Sequence, residues 1–213
     1  MAAPDPSTLR GVPQRGEPMH PLQICKKLGQ DRILSICEEL NSNQLKTTLR
    51  KGGLNPKSSA RVVSQKAKRK LWSDRVQKGL DQDNAELAES LLYEWLLYHR
   101  RPMLVEYLDR VGVKHQGGET EDTFTKTVPA EVLREGALAI ARTRDPVEVA
   151  AYLLFLDFHQ ESDVYGSDPA ILALLESTAA PKKPGSSDSN SEPAAPGAPD
   201  QSAAASDEVP KVE

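Results

Sequence analysis

The chain has 213 residues, with 27 basic side chains against 31 acidic ones and a formal net charge of −4, and 38% of it is hydrophobic. Its longest uninterrupted apolar run, residues 149–156, is eight long, well short of the ~18 that a membrane span needs. Within this acidic chain residues 44–80 reverse the sign. They carry eleven Lys and Arg against Asp74 alone, which makes the segment +10 and the remainder −14.

Residues 1–21 hold five prolines and no apolar period. They are predicted to be disordered, and no apolar core of a secretory leader stands among them. Residues 22–28 and 32–40 then read as two short helical pieces joined through Gly29. In the second, Ile33, Ile36, Cys37 and Leu40 fall on one helical face. Cys25 and Cys37 lie twelve apart in apolar-patterned sequence, which suits reduced, buried small hydrophobes better than a bridge across two helices. Asn41-Ser-Asn43 offers an N-cap for a helix over 44–51, and Gly52-Gly53 with Asn55-Pro56 punctuates strongly.

Ser58 or Ser59 caps a predicted helix toward Leu80. Its apolar residues split into two stripes, one through Ala60, Val63, Ala67 and Leu71, the other through Val62, Trp72, Val76 and Leu80, with Arg69 inside the second. No broad dry face results, so this helix is expected on the surface or detached from the core. Asp83-Asn-Ala-Glu86 has the residue types of a capping box, with Asp83 as cap, before a helix through Leu87, Leu91, Trp95 and Tyr98. Arg100 and Arg101 end it, and Pro102 starts the next, through Leu104, Val105, Leu108 and Val111.

Residues 113–127 read as a loop, within which the alternation over 123–128 suggests a short extended segment. Pro129 opens a helix with Val132, Leu133, Ala137, Ile140 and Ala141. Asp145-Pro146-Val147-Glu148 combines cap, N1 proline and N3 glutamate, ahead of a helix apolar nearly all round over 149–158. Asp168-Pro169 begins a last helix. From residue 177 onward the chain is rich in Ala, Pro, Ser and Asp, and burial there cannot offset a backbone ordering cost of roughly 1–2 kcal/mol per residue.

The reading is all-α: a bundle of about five helices preceded by a basic helical module, with disordered termini. The expected divisions are 1–21, a basic module at 22–82, a helical bundle at 83–177 and an acidic tail at 178–213. The expected core comprises Leu87, Leu91, Leu92, Trp95, Leu104, Leu108, Leu133, Ile140, Leu153, Leu154, Phe155 and Leu172.

Chemistry is sparse. His99 and His159 end two similar helices with Glu94 and Asp157 near them, but no HxxxH or ExxH spacing joins them and a helix C-terminus already favours a histidine. The acidic turn at 117–122 lacks the order of a calcium loop. No GxGxxG, GxSxG, HExxH or CxxC is present. No catalytic residue, metal ligand or cofactor is assigned, and the reading leans away from an enzyme.

The basic segment supplies the candidate site. Gln65-Lys-Ala-Lys-Arg-Lys70 followed by Leu71-Trp72 joins phosphate-directed charge to an aromatic that can stack on a base. The polyanion-binding candidates are Lys57, Arg61, Lys66, Lys68, Arg69, Lys70, Trp72 and Arg75. Leu45-Lys46-x-x-Leu49-x-x-x-Gly53-Leu54 resembles the first half of the SAP DNA-binding motif. Ser58-Ser-Ala-Arg-Val-Val63 stands where the second half brings Gly-x-Lys, so the likeness is confined to ten residues.

The expected function is a non-enzymatic intracellular binding protein, cytoplasmic, or nuclear in a eukaryote. Its basic segment docks on a polyanion, nucleic acid first, and its helical domain holds a protein partner. The alternatives are a protein–protein adaptor without nucleic-acid contact and an enzyme without a recognisable motif. The acidic tail, with Asp188, Glu192, Asp200, Asp207, Glu208 and Glu213, is expected either to be inert or to compete for the basic segment.

Overall fold

A computed structural model describes residues 17–57, 64–120 and 123–177. Residues 1–16 of the predicted disordered N-terminal segment, the acidic tail at 178–213, the Ser58/Ser59 cap and Arg61 lie outside those residues, whereas residues 17–21 are described and Pro21 already opens the first helix. Among the described residues the fold is all-α, a bundle of nine helices whose apolar side chains meet in one core.

Helix α1 (Pro21–Glu39) bends at Gly29, whose φ of 77° and ψ of 166° break the helical path. A glycine there allows the left-handed backbone at no steric cost, so both halves can turn Ile24, Cys25, Leu28, Ile33, Ile36 and Cys37 inward. Helix α2 (Ser42–Lys51) opens on a full capping box between Asn41 and Gln44. Helix α3 (Gln65–Asp81) takes its cap from Ser64.

The expectation that α3 stands off the core is corrected. Trp72, Ser73, Val76, Gly79 and Leu80 are buried, and α3 packs on both α1 and α2. The charge that interrupts this face is dealt with by bending it away. The Arg69 guanidinium donates to the carbonyls of Glu38 and Leu40, both at 2.7 Å, and so caps the end of α1. Gly79 lets α3 approach α4 closely, because a Cβ there would run into the Leu87 side chain.

Helix α4 (Ala85–His99) is capped by Asn84, one residue later than expected. Its side chain accepts from the Leu87 N–H and donates to the Gly52 carbonyl at 2.8 Å. Asp83 instead takes the left-handed turn, with φ of 58°. Helix α5 (Arg101–Arg110) follows directly. The residues read as extended, 123–128, contain the short helix α6 (Phe124–Thr127). Tertiary contacts override the alternation: Phe124 is buried beside Tyr107, and the Thr125 amide and hydroxyl both donate to the Gln160 side chain.

Helices α7 (Ala130–Ala141), α8 (Pro146–Gln160) and α9 (Pro169–Leu175) complete the bundle, α8 with the predicted Asp145 cap. Of the expected core, all but Leu172 are buried, and Leu172 packs partly buried against the rest. Helix α1 touches α3, α4 and α8, so the helices of the basic module and those after it share apolar contacts. Asp157, fully buried on α8, shapes the 162–166 loop by accepting from the Ser162 hydroxyl and the N–H groups of Val164, Tyr165 and Gly166. The Tyr107 hydroxyl donates to the Leu133 carbonyl at 3.1 Å. Tyr165 therefore donates to Tyr107, at 2.6 Å.

Candidate polyanion interface

Successive residues of an α-helix are about 100° apart, which sorts the basic residues of α3 into separate rows. Lys66 and Lys70, both exposed, are one turn apart on one flank, and the exposed Asp74 follows them a turn later. Lys68 lies about 200° around from Lys66, on the opposite flank. Between the flanks on the outer side come Ala67, exposed, and Leu71, half-buried.

The 55–57 loop and α2 close in on the Lys68 flank. Trp72, one turn beyond Lys68, donates its indole N–H to the Pro56 carbonyl at 2.9 Å. Arg75 donates to the carbonyls of Asn55 and Lys57. The Lys46 ammonium of α2 sits 5.3 Å from the centre of the Trp72 ring, a cation–π distance. Lys46, Lys57 and Lys68 thus gather on one side, Lys66 and Lys70 on the other.

Three of the sequence-predicted site residues have other work. Trp72 is 4% exposed and already hydrogen-bonded, so it offers no face to a base. Arg69 closes the end of α1, and Arg75 holds the 55–57 loop. Arg61 lies outside the described residues. Among the described residues, no ion pair or hydrogen bond engages the ammonium groups of Lys57, Lys66, Lys68 and Lys70. Lys46 enters the sequence reading only within the SAP-like stretch and not among the polyanion-binding candidates, because only the folded course of α2 brings it beside Trp72.

Ion pairing differs between this segment and the other described residues. Lys26, Lys27, Arg32, Arg100, Arg101, Arg134 and Arg144 each pair with a carboxylate within 4.0 Å. Among the described residues no Lys or Arg of 44–80 does so. No acid of the described fold forms an ion pair with the segment, and Glu94 acts on Lys51 only from beyond ion-pair distance.

The histidines and acids weighed for catalysis have separate partners. His99 meets the Gln44 side chain at 3.3 Å, whereas His159 packs edge-on against Phe155 with centroids 4.4 Å apart. Burial holds the His159 imidazole below its ordinary range, with Glu89 opposing. The Asp157 carboxylate is occupied by its four donors.

In the cleft lined by Gly112, His115 and Phe124, His115 also has both ring nitrogens engaged, Nδ1 by the Gly118 N–H and Nε2 by Asp109. The cysteines are buried and unbridged, and burial pushes the Cys37 thiol up to about 12. Among the described residues no group of three or more His, Cys, Asp or Glu is placed to hold a metal ion, and no helix is long and apolar enough to cross a membrane. No protein-family model matches this chain, and neither does any curated protein or solved structure.

Proposed function

We propose that this chain is a non-enzymatic binding protein whose basic surface around the first half of α3 docks on a polyanion, with nucleic acid as the ligand. One observation carries the reading. Among the described residues, seven lysines and arginines outside 44–80 pair with a carboxylate and Arg110, Lys114, Lys126 and Arg142 do not, whereas none within 44–80 does. Unmatched surface ammonium groups keep their attraction for phosphate, and each phosphate they neutralise releases condensed counterions from the nucleic acid.

The test replaces Lys57, Lys66, Lys68 and Lys70 together by Gln in the full chain. Arg69 and Arg75 stay, because their loss would disturb α1 and the 55–57 loop. Binding to nucleic acid should weaken, and the slope of log K against log salt should flatten by up to about 0.9 for each duplex phosphate that the variant no longer neutralises. No binding by the wild-type chain at low salt, or an unchanged slope in the variant, overturns the reading. Capture of an acidic protein with no nucleic acid retained after purification would transfer the same lysines to an adaptor role.

A further inference from the structure

We infer that the ligand is B-form duplex DNA, entered through its major groove by the first two turns of α3, an inference that rests on the polyanion reading and narrows it. From Gln65 to Leu71 no side chain is fully buried, and burial begins at Trp72. Gln65, Lys66, Ala67 and Lys70 are exposed while Arg69 holds the inner side to α1, so at 1.5 Å per residue the outer face of this stretch is open over about 10 Å among the described residues.

This open outer face is bordered by ammonium groups on both flanks, Lys66 and Lys70 on one, Lys68 with Lys46 and Lys57 on the other. The edge between them, Ala67 and Leu71, is narrow and uncharged. An α-helix with its side chains is about 10–12 Å across, and the major groove of B-DNA is about 12 Å wide. A helix lying there points its two flanks at the phosphates of the two groove walls, and its narrow edge at the base pairs. Asp74 follows Lys70 in the same row and marks where the helix must leave the groove, because a carboxylate there would face phosphate.

The fold argues against the single-stranded alternative. Binding of unpaired bases relies on exposed aromatic faces along a basic groove. Trp72 is buried, and the exposed rings Tyr93 and Tyr98 both lie on α4, off the α3 surface, Tyr93 under the Lys51 ammonium in a row with Glu86 and Glu89. It also argues against duplex RNA, whose A-form major groove is too deep and narrow to be read by side chains. With only Ala67 and Leu71 turned to the base pairs, the docking reads groove shape and charge, with little dependence on sequence.

The test compares the full chain at low salt on a short DNA duplex, on one of its strands, and on an RNA duplex of the same sequence. Duplex DNA should bind about tenfold or more tightly than either of the others. Ala67→Trp adds bulk without changing charge at an exposed position. It should lower duplex DNA affinity about tenfold by lifting the helix off the base pairs, while single-strand affinity holds or rises through the added ring. Equal affinity for all three nucleic acids, a preference for the single strand or the RNA, or duplex binding indifferent to Ala67→Trp, overturns groove docking and leaves the polyanion reading standing. No binding to any of the three overturns both.

Discussion

Arg100 and Glu148 meet in a two-point fork, Nε to Oε2 at 2.6 Å and Nη2 to Oε1 at 2.7 Å. Arg100 is both the last cap of α4 and the entry to α5, and Glu148 sits in the first turn of α8. The fork therefore ties the α4–α5 corner to α8. Glu39 at the end of α1 joins at 3.0 Å and also accepts the Trp95 indole N–H at 3.1 Å. Burial works against the Arg100 cation, but the hydrogen bonds and charges of Glu148 and Glu39 outweigh it and hold its pKa above the ordinary value.

Arg100→Ala should cost about 2–4 kcal/mol of stability, since it leaves two carboxylates in a partly dry corner without their counter-charge. A urea titration with unchanged slope and a lowered midpoint would report it. Adding Glu148→Gln should recover part of the loss. A cost under about 0.5 kcal/mol would mean that the fork is screened like an ordinary surface pair.

Gly79→Ala runs against helix propensity. At an open helical site the change to alanine would stabilise by roughly 0.8–1 kcal/mol. Here the new methyl meets the Leu87 side chain, which is itself fully buried and has no room to retreat. Overpacking should win, lowering stability by about 1–3 kcal/mol. A raised melting temperature would show that α3 and α4 can part without loss.

Glu94 provides a pH test. It is 7% exposed, and burial raises its carboxyl pKa against the opposing pull of Lys51. With its folded value above the unfolded ~4.3, the folded state binds the proton more tightly. Glu94 thus disfavours folding increasingly as pH rises from about 4.3 through its raised folded value. Glu94→Gln should be more stable than wild type at pH 7, with the difference shrinking as pH falls toward 4. A difference independent of pH would assign the effect to packing.

Where signals were local, the sequence was readable. Asp145-Pro146 placed the start of α8, and Gly29 placed the break in α1, because a cap or a left-handed backbone is decided within a few residues. The burial of α3 was hidden for a tertiary reason. Arg69 looked like a charge stranded on an apolar stripe, and nothing nearby in sequence announces that two carbonyls at the end of α1 will receive it. The same distance hid the fate of Trp72, whose indole partner is sixteen residues away on the 55–57 loop. The helical turn at Phe124 was missed because Tyr107 and Gln160, which hold it, come from other helices. For the proposed interface, Lys57, Lys66, Lys68 and Lys70 belong to the candidate set read from sequence, but their division between two flanks needed the position of α2.

The grip of Arg69 on α1 has a mechanical consequence for the free end of α3. The side chain that fixes the helix sits only one turn from Gln65, so the overhang beyond its anchor is short. Any load applied at Lys66 is passed almost at once into the end of α1 and, through Glu39, into the corner where Arg100 and Glu148 meet. Occupancy of the tip should therefore be felt as a stiffening some distance away, in amide exchange at the last turn of α1.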